Sequence, residues 1–145
     1  VHPIRRLHIQ NGFSYVRGIQ RHVSDEEKDL PLIPAPRWNG EVRYECTDDI
    51  YVALNVESNF RQNHYYKLDG TETATPAYSI VDFSTCMDIH HNNRLLAHLL
   101  ISVNNIFDKV YQNHLSRLKY AETPDGLGYF GMGRNVCVKM RFPID

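Results

Sequence analysis

The side chains best suited to contact a ligand are basic and aromatic residues in two separate parts of the sequence. They are His64, Tyr65, Tyr66, His114, Arg117, Tyr129 and Phe130. A guanidinium group can pair with the oxygens of an anion, and aromatic rings can stack on flat or cationic groups. These residues are therefore candidates for contact with a small charged molecule. The alternative is that they are ordinary loop residues and aromatic residues at a membrane interface, where such rings are common.

Metal-binding and catalytic patterns are missing from the sequence. His90 and His91 are adjacent, but no third ligand lies near them in the sequence, and we interpret them as solvated turn residues. Cys46, Cys86 and Cys137 are far apart and have neither metal-site spacing nor a disulfide pattern. There is no glycine-rich phosphate loop, no nucleophile elbow and no HExxH motif. We therefore expect no enzyme activity, no cofactor and no resident metal.

The composition excludes several classes of protein. The formal net charge is −1 over 145 residues, which gives no electrostatic basis for binding nucleic acid. No apolar run approaches the roughly 20 residues of a transmembrane helix. Nine tyrosines and six phenylalanines favour β structure or a position at an interface. The chain starts at Val1-His2-Pro3, without an initiator Met or a signal peptide, so we expect it to be part of a longer protein.

Apolar and polar residues alternate along six stretches of the chain, as they do in β-strands. The stretches are residues 7–18, 37–45, 50–60, 78–88, 95–104 and 135–144. Each has about 9 to 12 residues, which suits a tilted membrane-spanning strand better than a globular strand. The sequence therefore predicts an all-β fold, an antiparallel up-and-down meander of about six long strands.

The connections between these strands alternate between short and long. Residues 46–49 and 90–93 form short links, whereas residues 19–36, 61–77 and 105–134 form long ones. Outer-membrane barrels have this arrangement, with tight periplasmic turns and extended outer loops. Loops of this length are uncommon in compact domains. We therefore expect the meander to be part of a larger transmembrane β-barrel whose three long loops face outwards.

The two faces of the predicted strands differ in chemistry. One face carries charged and polar groups, namely Glu41, Arg43, Asn55, Glu57, Asp82, His98, Lys139 and Arg141. Such groups need water or partners, which the lumen of a wide barrel supplies. On the other face, Trp38, Tyr44, Phe83 and Phe142 are suited to a position near the membrane interfaces.

The competing interpretation is a soluble β-barrel or β-sandwich that acts as a binding or adhesin module. The same alternation would then point the apolar face inwards. Val52, Leu54, Leu99, Ile101 and Val138 would be packed inside, and the face with Glu41, Glu57 and Lys139 would be exposed. Burial therefore distinguishes the two interpretations.

Four motifs occur in the order found in TonB-dependent outer-membrane receptors. Residues 30–37, LPLIPAPR, resemble the "PLIPP-R" entry to a late strand. Residues 102–111, SVNNIFDKVY, resemble the "V-NLFDKKY" signature after the penultimate strand. Residues 112–120, QNHLSRLKY, resemble a continuation seen in receptors of Bacteroides-type bacteria, and residues 132–135, MGRN, resemble the "GRN" start of the closing strand. Together they resemble the C-terminal barrel segment of such a receptor.

The motif residues also have physical roles, which we expect to be structural. They are Pro34, Arg37, Asn104, Asn105, Phe107, Asp108, Tyr111, Gly133, Arg134 and Asn135. The prolines delay strand pairing until Arg37, and the Asn and Asp side chains can bend the exit of a strand by bonding to local backbone. We expect Phe107 and Tyr111 to pack this turn onto the barrel rim. We expect Gly131 and Gly133 to supply positive φ angles.

The resemblance implies uptake through a plugged barrel of about twenty-two strands in the bacterial outer membrane. Residues 1–145 would be the C-terminal part of that barrel, without the plug domain. The implied partners are the TonB complex, the plug of the same polypeptide, outer-membrane lipid and a small-molecule metal chelate. Ferric siderophore is the first expectation for the cargo; haem, cobalamin, copper and oligosaccharide are alternatives. One departure from the family is the ending, since Pro143 follows the aromatic Phe142.

Overall fold

The computed structural model describes residues 5–68, 70, 72–92 and 94–143, so the predictions for Val1-His2-Pro3, Asn93 and Ile144 lie outside the described residues. The six strands are β1 (Leu7–Ser14), β2 (Arg37–Glu45), β3 (Ile50–Asn59), β4 (Tyr78–His91), β5 (Arg94–Asn104) and β6 (Asn135–Arg141). One turn of 3₁₀ helix, Arg117–Tyr120, lies between β5 and β6. In the described part of the chain, no helix is long and apolar enough to cross a membrane.

The strands form one antiparallel sheet in chain order, β1-β2-β3-β4-β5-β6. Each strand pairs with the next, and the sheet remains open, with β1 and β6 at its edges. The prediction of an all-β antiparallel meander of six strands is confirmed. Loop 1 (residues 15–36), loop 2 (residues 60–77) and loop 3 (residues 105–134) are the long connections.

Prolines explain why two strands are shorter than predicted. β1 ends at Ser14 instead of residue 18, because Ser14 pairs with Arg37, the first residue of β2. Pro36 precedes Arg37 and has no N–H, so β2 begins there and β1 has no partner beyond Ser14. At the other edge β6 ends at Arg141, and Pro143 follows two residues later.

The prediction that His90 and His91 are turn residues is wrong. Both belong to β4, where His90 pairs with Leu95 and His91 with Arg94 after a register shift at Ile89. Only two residues connect β4 to β5. Asn92 in this hairpin has a φ of 50°, which asparagine tolerates better than most residues and which two-residue hairpins commonly need.

The register aligns the apolar residues of successive strands in rows across the sheet. One row runs through the paired residues Ile9–Val42, Val42–Leu54, Leu54–Phe83, Phe83–Val103 and Val103–Val136. One residue further along, on the opposite face, the pairs are Gln10–Glu41, Glu41–Asn55 and Asn55–Asp82. The sheet therefore has an apolar face and a polar face, as the alternation predicts.

Complementary polar side chains lie side by side on the polar face. Asp88 Oδ1 is 2.6 Å from His98 Nδ1 on the neighbouring strand, and Arg43 Nη2 is 2.9 Å from Glu45 Oε1. All four side chains are partly accessible, so these pairs are modest contributors to stability.

The sheet buries very little apolar surface. Among the described residues, the buried apolar ones are Ala53, Tyr78 and Ala97. Leu54 is 42% exposed and Val138 is 65% exposed, although the soluble interpretation requires both of them inside. A sheet needs a second layer or an apolar medium over its hydrophobic face, and the described residues do not provide one.

Close packing, and not positive φ, explains the glycines before β6. Gly131 and Gly133 do not have the left-handed φ angles that we expected. A Cβ at Gly131 would lie 2.3 Å from Cζ of Tyr111, and one at Gly133 would lie 2.8 Å from Oδ1 of Asp108. Both positions therefore exclude a side chain because a neighbouring residue occupies the space.

Replacing Gly128 with Ala is expected to loosen loop 3 more than replacing Gly126 with Ala. Both residues have a φ of +69°, so both substitutions carry a left-handed strain of about 1–2 kcal/mol. At Gly128 a Cβ would also lie 2.1 Å from the carbonyl oxygen of Lys119, whereas nothing lies within 4 Å at Gly126. We expect faster protease cleavage within loop 3 for Gly128→Ala. Equal cleavage rates for the two variants would contradict this packing.

Candidate functional site

The three long loops lie at the same end of the sheet. At that end, Ser14 pairs with Arg37, Arg37 with Asn59 and Asn59 with Tyr78. All three loops start or finish at this edge, as the alternating loop lengths predict. This loop end contains most of the candidate ligand-binding residues.

Two buried side chains connect loop 1 to loop 2. Gln62 is 3% exposed, and its Nε2 donates to the carbonyl oxygens of Ile33 at 3.1 Å and Pro34 at 3.0 Å. Glu72 is 7% exposed and accepts a 2.6 Å hydrogen bond from the N–H of Leu32. A buried side chain that bonds to the backbone of another loop fixes the position of that loop.

Lys119 and His114 connect loop 3 to loop 2. The Nζ of Lys119 donates to the carbonyl oxygen of Thr73 at 3.0 Å and to Oγ1 of Thr75 at 2.8 Å. That same Oγ1 lies 2.9 Å from Nδ1 of His114. The N–H of Thr73 in turn donates to the Tyr120 hydroxyl at 3.1 Å. Loop 3 is therefore held to loop 2 by several hydrogen bonds within a few residues.

The start and end of loop 3 are joined by a clasp built on Asn105 and Asp108. Asn105 is 3% exposed, and its Nδ2 donates to the carbonyl oxygens of Lys109 at 2.9 Å and Met132 at 3.2 Å. Asp108 accepts a 2.8 Å hydrogen bond from the N–H of Arg134. Asn105 and Asp108 have φ angles of 51° and 52°, a conformation that Asn and Asp adopt more readily than other residues.

Two further motif contacts reinforce the clasp. Asn104 Nδ2 donates to Asn135 Oδ1 at 2.9 Å, so the last residue of β5 bonds to the first of β6. Tyr111 stacks on Tyr78 with ring centroids 4.8 Å apart. Phe107 is 74% exposed, so the described residues do not provide the packing that we expected for it. Asn104, Asn105, Asp108 and Tyr111 make these contacts, and a structural role for the whole set of motif residues stays a prediction.

The candidate ligand residues do not gather in one place. His64 lies between loops 1 and 2, with Nε2 3.3 Å from Nη1 of Arg17 and Nδ1 3.7 Å from Oδ2 of Asp29. Tyr65 and Tyr66 are half-buried next to it in the sequence. These three residues are held mainly by contacts inside the loop assembly.

Tyr129 and Phe130 lie at a different position, over the polar face of the sheet. They line a cleft of about 570 Å³ together with Glu57 and Asp82 of the strands and Gln112 of loop 3. The rings are 57% and 46% exposed, so both are accessible to a ligand. A cleft of several hundred cubic ångströms with aromatic walls and a few polar groups is a typical small-molecule site.

The remaining two candidates differ sharply in exposure. Arg117 is exposed on the 3₁₀ helix, whereas His114 is only 6% exposed and faces a second cavity. The seven predicted residues are therefore divided between the His64 region, the Tyr129–Phe130 cleft, the His114 cavity and the free surface.

Sequence reasoning missed the residues that hold the loops together, namely Gln62, Glu72, Thr75 and Lys119. They are common polar residues in long loops and belong to no motif. Thr75 and His114 are 39 positions apart in the sequence, so nothing local indicates that they are in contact.

The described residues contain no group of three or more His, Cys, Asp or Glu side chains placed to hold a metal ion. Cys46, Cys86 and Cys137 are free thiols, with Cys46 and Cys137 exposed.

No protein-family model matches this chain, and no curated protein matches it. Among solved structures, the fold is similar to that of the copper transporter OprC, with a TM-score of 0.80 and 17% sequence identity. The similarity covers 97% of this chain and 21% of the transporter chain, so this chain spans about a fifth of that protein. At this level of identity the likeness establishes the fold.

His114 is a loop residue whose pKa is shifted by its surroundings. Burial lowers the pKa of its imidazole below the ordinary value. The charge of Glu72 acts in the opposite direction, and that of Lys119 lowers the pKa further. His114 is therefore neutral at neutral pH.

Acidification is expected to loosen loop 3 through His114. Its folded pKa lies below the unfolded value of about 6.5, so the stabilisation is present above that value and is lost as the pH falls through it. Amide hydrogen exchange of loop 3, corrected for intrinsic rates, should rise between about pH 7.5 and pH 5.5. The variant His114→Gln should lose most of this dependence, whereas His91→Gln, at an exposed position, should retain it. An unchanged pH dependence in His114→Gln would show that another group controls the loop.

Proposed function

We propose that residues 1–145 form part of the wall and the outer loops of a β-barrel transporter in the bacterial outer membrane. The observation that carries this proposal is the open two-faced sheet, with its apolar side uncovered and its opposite side charged. Lipid would cover the row that includes Leu54, Phe83 and Val136, and the lumen would contain the row that includes Glu41 and Asp82. The fold likeness to a copper transporter supports the same class of protein.

The strand and loop lengths fit the proposed position in a membrane. The strands have 7 to 14 residues, with the long loops gathered at one end and the short hairpins at the other. A spanning strand needs about 9–11 residues when tilted, and outer-membrane barrels have long loops only on the outer side. The His64, His114 and Tyr129 regions would therefore face the outside of the cell.

The proposed partners follow from the resemblance to TonB-dependent receptors. The chain would be the C-terminal part of the barrel, and a plug domain from the same polypeptide would contact the polar face. Energy for uptake would come from the TonB complex through the N-terminal region. The fold likeness to only a fifth of a transporter chain supports a partial barrel.

The proposed cargo is a metal ion or a small-molecule metal chelate. The cleft beside Tyr129 and Phe130 has aromatic walls for stacking on a planar ligand, and Glu57 and Asp82 line the same cleft. A ferric siderophore fits the family resemblance, whereas the similar solved structure is a copper transporter. We therefore propose a metal-containing cargo, and a ferric siderophore and copper are the two candidates to test first.

A charge placed on the apolar face should be far more harmful than the same charge on the polar face. Leu54 and Asn55 are adjacent in the middle of β3 and point to opposite faces. An arginine facing lipid at mid-depth costs about 2–4 kcal/mol, whereas one facing a wet lumen costs much less. In the full-length protein, Leu54→Arg should reduce the amount of folded, heat-modifiable protein in the outer membrane. Asn55→Arg should leave most of it.

The control measurement is the cellular fraction and gel migration of the unaltered protein. The unaltered protein should be in the outer-membrane fraction, and its gel migration in detergent should differ before and after heating. A soluble protein without heat-modifiable migration, or equal effects of the two arginine variants, would reject the barrel interpretation.

The cargo can be identified by uptake in cells that lack and regain the full-length protein. We expect energy-dependent uptake of either a labelled ferric siderophore or labelled copper, abolished by collapsing the proton gradient. Removing two of the aromatic rings that line the cleft, with Tyr129→Ala and Phe130→Ala, should weaken cargo binding by about tenfold if each ring contributes a typical aromatic contact. Phe107→Ala, an exposed aromatic of the same loop outside this cleft, is the matched control. If the cells take up neither the ferric siderophore nor copper, the proposed cargo class is contradicted.

A further inference from the structure

The cavity at His114 adjoins the aromatic cleft of loop 3, and Tyr78 and Asn113 line both. It has a volume of about 250 Å³ and lies where loops 1, 2 and 3 meet the sheet edge. Its polar lining includes Arg37, Thr75, Tyr78 and His114, and its apolar lining includes Phe60. Phe60 is 46% exposed, so the cavity opens to the outside beside this ring. No Asp or Glu is among its described lining residues.

The hydrogen bonds around Thr75 favour one tautomer of His114. The Lys119 ammonium can only donate, so the Thr75 hydroxyl accepts from it at 2.8 Å. The hydroxyl proton is then available for Nδ1 of His114, 2.9 Å away. In this arrangement Nδ1 accepts, and the imidazole proton lies on Nε2.

Nε2 of His114 has no hydrogen-bond partner among the described residues, although it is buried. A buried N–H without an acceptor is unfavourable, and native structures rarely retain one without a ligand, ion or water. An acceptor in the adjoining cavity would remove this penalty.

Two further donors line the same cavity. The Tyr78 hydroxyl accepts a 3.3 Å hydrogen bond from Asn113 Nδ2, which leaves its own proton available. The Arg37 guanidinium is 3.9 Å from Glu57 Oε2, too far for a strong hydrogen bond, so Arg37 retains free donors. The surplus in this cavity is of donors and positive charge.

The nearest carboxylates are already engaged elsewhere. Glu72 accepts from the N–H groups of Leu32 and Tyr66, and Glu57 accepts from Asn59 Nδ2 at 2.7 Å. Neither lines the cavity. The cationic Lys119, which is linked to His114 by two hydrogen bonds through Thr75, adds to the positive potential.

We propose that this cavity is a binding site for the carboxylate of a small organic acid. The carboxylate oxygens would accept from His114 Nε2, the Tyr78 hydroxyl and Arg37, and the hydrocarbon part would contact Phe60 and the neighbouring apolar wall. A carboxylate has only acceptors, about four of them, and an arginine can bind it with two parallel hydrogen bonds. This site goes beyond the proposed function because it requires neither transport nor a metal.

The test is to measure benzoate binding by calorimetry, with the full-length protein purified in detergent. Benzoate should bind saturably, and benzyl alcohol, which has the same ring without the carboxylate, should not. Tyr78→Phe keeps the ring that stacks on Tyr111 and removes one donor, so it should weaken benzoate binding by about tenfold or more. Tyr129→Phe alters only the aromatic cleft and should leave benzoate binding unchanged.

A direct readout at His114 separates this site from a cavity that holds only water. Benzoate should shift the Nε2 resonance of this imidazole in ¹⁵N spectra, and Tyr129→Phe should not alter that shift. Absence of saturable benzoate binding, equal binding of benzyl alcohol, or an unshifted His114 resonance would each overturn the proposal. None of these outcomes depends on whether the protein transports a metal.

Discussion

The register between the six strands is the constraint on which the rest of the structure depends. Side chains alternate between the faces of a strand, so a slip of one residue at any pairing would move a whole apolar row to the polar face. The pairs from Ile9 to Val136 keep that row continuous across all six strands. Because almost nothing is buried within the sheet, packing against a core cannot be what fixes this register. The chemical difference between the two faces must do so, together with the turns and loop anchors.

Each connection contributes a different anchor. In the short link between β2 and β3, the N–H of Thr47 bonds to the carbonyl oxygen of Ile50 at 3.1 Å. At the loop end, the N–H of Phe60 bonds to the carbonyl oxygen of Pro36 at 2.8 Å, directly before β2 begins. Loop 3 has thirty residues, yet the clasp of Asn105 and Asp108 brings its two ends together. The long loop thereby positions β6 against β5 as a short turn would.

The sequence was sufficient to predict the strands, and it predicted the loop anchors only in part. Period-two alternation identified all six strands because each has two chemically different faces. The alternation placed the end of β4 too early, because a histidine pair next to asparagines resembles a turn. In the structure the pairing of β4 with β5 continues to His91. The contacts of Gln62, Glu72 and Lys119 join residues that are far apart in sequence, and no pattern in the chain specifies such contacts. His114 was singled out for its type, but its burial could not be predicted.

The same anchors that fix the register also prepare the loop end for binding. Gln62 and Glu72 hold loop 1 to loop 2 through buried hydrogen bonds, and Lys119 holds loop 2 to loop 3. A site between loops that are already fixed loses less conformational entropy on binding than one between mobile loops. The polar side chains that hold the loops are already engaged in hydrogen bonds to the protein, so they are not available to a ligand. Among the described residues, the groups left over for a ligand include the accessible rings of Tyr129 and Phe130, the Arg37 guanidinium, the Tyr78 hydroxyl and the unpartnered nitrogen of His114. Recognition at this end of the sheet is therefore limited to the few groups that folding does not use.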